Sequence, residues 1–299
     1  MVVSLAQHRW LGALLLSLVA AISISAQLKR PTRARVETIK LESKLIGTTL
    51  PYRAILPIDY DVATTTRFPV MYLLHGLGGH YTDWTTRTNI ADYAAQYRLI
   101  IITPEGNDSW YVDSAAVPSD KYESYFVKEL MTDVDNRYRT IQSRYGRAIA
   151  GLSMGGYGAV KYGLKYPSQF AFVASISGAF NVTRVSEKDT GTDWPDYLKL
   201  FGPVDSPTWK SSDVFTLVND LPPARIASLP YFYFDCGTED SPRLFNSNRK
   251  LLELLQQKKI AHEFRELPGD HSWAYWDQQI QQVLEIAAQK LHLSHSRKQ

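Results

Sequence analysis

AIAGLSMGGYGAVKYG, residues 148–163, places one serine between two glycines, directly after an apolar run and directly before a helix-like stretch. Gly151, Ser153 and Gly155 form a G-x-S-x-G string. The run RAIAG at 147–151 reads as a short buried strand, and residues from about Met154 to Tyr166 read as a helix. A sharp strand–turn–helix bend forces the residue at its tip into unfavourable backbone angles and crowds the atoms on either side, so only glycine fits there. A hydroxyl at such a tip stands over the first amides of the following helix, which favour negative charge. The string alone arises by chance in roughly one chain in ten or twenty, so the strand and helix around it carry the weight.

On both sides of this segment the same alternation repeats. FPVMYLLHG (68–76), LIIITPEG (99–106), AFVASISG (171–178), YFYFDCG (231–237) and HEFREL (262–267) read as strands. NIADYAAQYR (89–98) and DKYESYFVKELMTDVDNRYR (120–139) read as helices, the second with Asp120 and Glu123 expected to cap its start. A last helix carries Trp273, Trp276, Ile280, Val283, Leu284, Ala287 and Leu291 on one stripe. Continuous apolar strands separated by helices predict an α/β fold: a mostly parallel sheet covered on both faces. VETIKLESKLIGTTLPYRAILP (36–57) predicts antiparallel strands entering at the sheet edge. Residues 179–229 exceed a simple crossover and read as an insertion over the strand ends. Their aromatics, Phe180, Trp194, Tyr197, Phe201 and Trp209, are assigned to lid packing rather than to sugar platforms.

Composition narrows the class. The chain has 299 residues, 44% of them hydrophobic, with a net charge of +3 and no basic block, so a nucleic-acid partner is not expected. Residues 10–23 are almost wholly apolar, follow Arg9 with no acid before it, and lead to Ser23, Ser25 and Ala26. This predicts a signal peptide over residues 1–26, cut after Ser25 or Ala26, and an exported protein, periplasmic or secreted. The run is shorter than the roughly 20 residues of a membrane span, so no stable insertion is expected after cleavage. A single domain over 27–299 is expected. Cys236 is the only cysteine, which excludes an intramolecular disulfide. Seven scattered histidines, with no HExxH or CxxC, give no reason to expect a metal or other cofactor.

A serine hydroxyl is a weak nucleophile at neutral pH. It needs a base, and the base needs an orienting carboxylate. On a sheet of this kind both follow later in the chain, each in a loop after a strand. CGTEDSPRLFN (236–246) offers Glu239 and Asp240, and PGDHSWAYW (268–276) offers His271. The chain between Asp240 and His271 has room for one helix and one strand. Asp240 is the expected carboxylate, with Glu239 and Asp235 open as alternatives; Asp270 lies too close to His271 to turn onto its ring. Two backbone amides would complete an oxyanion hole: that of Met154, after the serine, and that of Leu77, in LLHGLGGHYTDW (73–84). His75 is read as holding this loop rather than as a base.

These segments resemble the esterase D / S-formylglutathione hydrolase-like branch of the α/β-hydrolases, which also contains feruloyl esterases and mycolyltransferases. The resemblance covers about residues 35–290 and rests on YLLHGLGGHYTDW, PEGNDSWYVDS, YESYFVKELMTDVDNRY, AIAGLSMGGYGAVKYGLKYPSQF, DCGTEDSPRLFN and GDHSWAYW, in matching order and spacing. It implies an α/β-hydrolase fold, with Ser153 as nucleophile, Asp240 as acid, His271 as base, and the amides of Leu77 and Met154 as oxyanion donors. S-formylglutathione hydrolases are typically cytosolic, whereas this N-terminus reads as exported. That departure favours hydrolysis of external small-molecule or carbohydrate-linked esters, with short acyl, acetyl or hydroxycinnamoyl groups. Competing expectations are acyl transfer to a sugar or lipid alcohol, thioester hydrolysis, peptide cleavage, and a binding domain without catalysis.

Overall fold

The stretch 36–57 folds as an antiparallel hairpin of β1 (Arg35–Ser43) and β2 (Thr48–Leu56). The apolar runs then supply β3 (Val70–Leu74), β4 (Ile100–Pro104), β5 (Arg147–Leu152), β6 (Phe172–Ile176), β7 (Tyr231–Gly237) and β8 (His262–Leu267). Every residue of β3 to β6 is buried in this computed structural model, which describes residues 34–291. The expected signal peptide falls outside the described residues.

The eight strands form one sheet in the order β1-β2-β4-β3-β5-β6-β7-β8. β2 joins β4 antiparallel, and every pair from β4 onward is parallel. Alternate residues serve two cores. Val70, Tyr72, Leu74, Ile102 and Ile149 pack with Tyr125, Phe126, Tyr157 and Tyr162 on one face. Met71, Leu73, Ile101, Ala148 and Ala150 pack with Trp84, Trp276, Ile280 and Leu284 on the other. With both faces covered, the strands read as unbroken apolar runs. β8, at the edge, is only partly buried and carries Glu263, Arg265 and Glu266.

The strand order reverses at β3, where ligands of open α/β sheets gather at the strand carboxyl ends. Leu74 pairs with Gly151, so the loop after β3 lies beside the turn after β5. Gly237 pairs with Leu267, so the loops after β7 and β8 are neighbours as well.

Three sequence expectations change in detail. The 89–98 helix is only Ile90–Ala94. The 120–139 helix runs as Tyr122–Tyr125, a π turn Phe126–Leu130 and Met131–Arg137. Its start is not capped by Asp120: Asp113, from the preceding loop, accepts both the amide and the hydroxyl of Ser124 at 2.9 and 2.6 Å. A partner reached across a loop is not visible to a local capping pattern. Between β6 and β7 the chain forms short helices, including Trp194–Phe201, Pro207–Ser212 and Val214–Asn219. Phe180, Phe201 and Trp209 there are buried in the first core, and Trp194 and Tyr197 pack against it. No helix among the described residues is long and apolar enough to cross a membrane.

Candidate active site

Ser153 occupies the bend between β5 and the helix Met154–Lys165 with φ +51° and ψ −115°. Such an angle costs a non-glycine residue about 1–3 kcal/mol and persists only where its surroundings over-determine it. Here the Ser153 amide donates to the Ile176 carbonyl at 3.0 Å, and its carbonyl accepts from Ala179 and Tyr157 at 3.1 and 3.0 Å. The flanking glycines answer to crowding. A Cβ on Gly151 would lie 2.4 Å from the Gly155 backbone, and one on Gly155 would lie 2.6 Å from the carbonyl oxygens of Leu74 and His75.

The loops after β7 and β8 bring the other two expected side chains to this serine. His271 Nε2 lies 3.0 Å from Ser153 Oγ, and its Nδ1 lies 2.9 Å from Asp240 Oδ2. The Asp240 side chain is fully buried, while that of His271 is 32% exposed. Burial opposes ionisation of Asp240. The hydrogen bond and charge of His271 and the Ser241 amide outweigh it, holding the carboxyl below its ordinary range. An ionised carboxylate only accepts, so Nδ1–H donates to it and Nε2 is left to accept the serine proton. The Ser241 amide fixes the other carboxylate oxygen at 2.7 Å, and Trp276 packs perpendicular to the imidazole with ring centroids 4.9 Å apart.

The alternative carboxylates point elsewhere. Glu239 is exposed, and Asp270 accepts the Ser272 hydroxyl. Asp235 is fully buried within β7 and accepts the Tyr275 hydroxyl at 2.8 Å. Burial pushes its carboxyl up to about 7, against a smaller opposing effect of that hydroxyl. An unfolded aspartate ionises near pH ~3.9. Between these two values, rising pH therefore charges the unfolded chain first and erodes stability. Asp235→Asn, which still accepts from Tyr275, is expected to melt above the wild type at about pH 8, with the difference shrinking toward about pH 4. Thermal melts of both proteins across that range check it.

The loop after β3 closes over the serine. A Cβ on Gly76 would lie 2.6 Å from Leu152 Cδ1 and 3.5 Å from Ser153 Cβ, so a side chain there would crowd the turn that carries the serine. Neither the Leu77 nor the Met154 amide donates a hydrogen bond to another described residue. The first amides of any helix lack an intrahelical acceptor, so the Met154 amide is available by construction. Leu77 is 55% exposed.

His75 is buried and stands within the loop framework, as expected of a structural residue. The Gly106 amide donates to its Nε2 at 2.9 Å, so Nδ1 carries the proton and donates to the Gly76 carbonyl at 2.8 Å. Glu105 lies beside it. Its carboxylate accepts from the amides of Asn107, Gly106 and Tyr81 at 2.9, 3.1 and 3.4 Å. Sequence reading passed over Glu105, Tyr111 and Lys161, and gave Glu123 a capping role where the structure pairs it with Lys161 and Lys165. The available signal was Lys161 lying on one helical stripe with Tyr157 and Leu164, both buried.

A hydroxyl, an imidazole and a buried carboxylate in one hydrogen-bonded line, with unpaired amides in the next residue and in the neighbouring loop, are a combination that can support nucleophilic attack on an acyl carbon. Comparison with known proteins agrees with that chemistry. Residues 43–285 match the Esterase family profile, described as a putative esterase. An acetyl esterase of Caldicellulosiruptor saccharolyticus is 29% identical over 263 residues, spanning 83% of this chain and 96% of its own. Among solved structures, a ferulic acid esterase superposes with a TM-score of 0.76 at 26% identity, covering 87% of this chain and 99% of that one. A fluorophosphonate-binding serine hydrolase of Staphylococcus aureus, solved with substrate bound, gives 0.73 at 26% identity, covering 85% and 98%.

Proposed function

This chain belongs to the putative esterase family, and on that premise we propose that it hydrolyses carboxylic esters through an acyl-enzyme formed on Ser153. The observation that carries the reading is the unbroken line from Ser153 Oγ through His271 to Asp240, at 3.0 and 2.9 Å. His271 takes the hydroxyl proton as Oγ attacks the ester carbon, and returns it to the departing alcohol. Asp240 holds the imidazole in the accepting tautomer and balances its charge. The amides of Met154 and Leu77 bind the oxyanion of the tetrahedral intermediate. Water activated by the same imidazole then releases the acid. These steps call for no metal or organic cofactor.

The substrates proposed are short-chain acyl, acetyl or hydroxycinnamoyl esters of small molecules or carbohydrates, with the protein acting outside the cytoplasm after loss of residues 1–26. The resemblance to an acetyl esterase and to a ferulic acid esterase supports the acyl classes. A p-nitrophenyl ester series from acetate to palmitate, with ferulate added, tests the reading. Turnover is expected on acetate or ferulate and little on palmitate. A folded protein inactive on the whole series would overturn it. Adding a sugar or lipid alcohol separates transfer from hydrolysis: transfer yields a new ester in place of free acid.

A further inference from the structure

Tyr111 links the two sides of the oxyanion hole. Its hydroxyl donates to the His75 carbonyl at 3.0 Å, one peptide unit before the Leu77 amide. Its own carbonyl accepts from Lys161 Nζ at 2.7 Å and from the Tyr162 hydroxyl at 2.8 Å. Both donors sit on the helix Met154–Lys165, whose first amide is that of Met154. The two oxyanion donors are thus referred to one rigid element.

The link is built rather than incidental. Two glycines make the slot for the ring: a Cβ on Gly106 would lie 2.5 Å from Tyr111 Cε1, and one on Gly158 would lie 2.8 Å from its Cδ2. Trp110 and Tyr111 take φ of +51° and +54°, a conformation that needs outside support. Lys161 provides that support although fully buried, and it pairs there with Glu123 at 2.8 Å. Glu123 also takes Lys165 at 2.5 Å and the Tyr166 hydroxyl at 2.6 Å. A buried ammonium is tolerable only when paired and hydrogen-bonded, and this one spends a hydrogen bond on the Tyr111 carbonyl. Burial also pushes the Tyr111 hydroxyl well above its ordinary value, so it stays a neutral donor.

We propose that Tyr111 is a positioning residue that sets the Leu77 amide against the Met154 amide, anchored by the buried Lys161–Glu123 pair. The inference rests on the ester-hydrolase reading, which supplies the oxyanion these amides bind.

Tyr111→Phe removes the hydroxyl and keeps the ring. It is expected to lower kcat on an oxygen ester by about 10- to 100-fold, the range for a misplaced rather than deleted donor. KM should stay within about twofold, because the hole acts on the transition state and not on bound ester. A trifluoromethyl ketone, which forms a tetrahedral oxyanion on the serine, should lose affinity by the same factor as kcat/KM. The preference for an oxygen ester over its thionoester should shrink, since sulfur draws less from amide donors. A purely structural role would instead reduce the fraction of enzyme labelled by a fluorophosphonate and leave these ratios per active site unchanged.

Full kcat and unchanged ketone affinity in Tyr111→Phe, with Ser153→Ala inactive, would overturn the proposal and leave the hydrolase reading standing. Activity retained by Ser153→Ala would overturn that reading itself. If Tyr111→Phe does not fold, Gly158→Ala displaces the ring while keeping its hydroxyl. The same signature is expected there, and its absence counts against the proposal equally.

Discussion

Ser153→Ala is expected to lower kcat on the best ester by about 10⁵-fold or more, with KM nearly unchanged and the fold intact. The direction follows from what the substitution leaves behind. Alanine keeps the Cβ and the backbone hydrogen bonds to Ile176, Ala179 and Tyr157, so the bend is retained. What disappears is the oxygen 3.0 Å from His271 Nε2, and with it the covalent route. Water attack within the two amides would remain, and such sites keep roughly 10³- to 10⁴-fold catalysis over solution. Steady-state kinetics and intact mass after fluorophosphonate treatment measure this directly: the wild type gains one adduct and the variant gains none. Adding His271→Ala to Ser153→Ala is expected to cost almost nothing more, because the two groups act as one unit. Substantial turnover or labelling in Ser153→Ala would move the nucleophile elsewhere.

Asp240→Asn is expected to lower kcat by about 10⁴-fold. The amide is nearly isosteric, so the cause is the proton inventory. Asp240 Oδ2 accepts from His271 Nδ1 at 2.9 Å, and Oδ1 is occupied by the Ser241 amide at 2.7 Å. The Ser241 amide, a donor, keeps the asparagine oxygen and so turns its NH₂ toward Nδ1. An imidazole that accepts at Nδ1 carries its proton on Nε2 and can no longer take one from Ser153. Stability responds separately. The folded carboxyl titrates below its ordinary range, so its ionised form contributes stability above the unfolded value of about 3.9 and loses it as pH falls through the folded one. The variant should therefore be less stable than the wild type near neutrality, with the gap closing in acid. A kcat loss under about tenfold would mean that another carboxylate orients the imidazole.

Much of the architecture could be read from local pattern. Largely apolar runs such as VMYLL and IIITP mark strands with both faces covered, because side chains on both faces meet packed neighbours rather than water. Gly151 and Gly155 flag the bend around Ser153 because the crowding they relieve is set by a few neighbouring residues. The order of serine, carboxylate and histidine along the chain follows from strand succession.

The sequence favoured Asp240 as the carboxylate but left Asp235 and Glu239 open. These residues lie within six positions of one another, and which one meets His271 depends on where β7 ends and how the next loop turns. In the fold, Asp235 remains inside the strand under Tyr275, Glu239 faces solvent, and Asp240 turns onto the ring. The Asp113 cap on Ser124 and the Lys161–Glu123 pairing under Tyr111 were hidden. Lys161 falls on one helical stripe with Tyr157 and Leu164, but that stripe does not say which carboxylate it meets. Its partner is a glutamate 38 positions earlier, brought against it where the two helical segments cover the same face of the sheet. Periodicity reports which face of an element is apolar; the partner that a buried charge meets is decided by long-range packing, which no local pattern encodes.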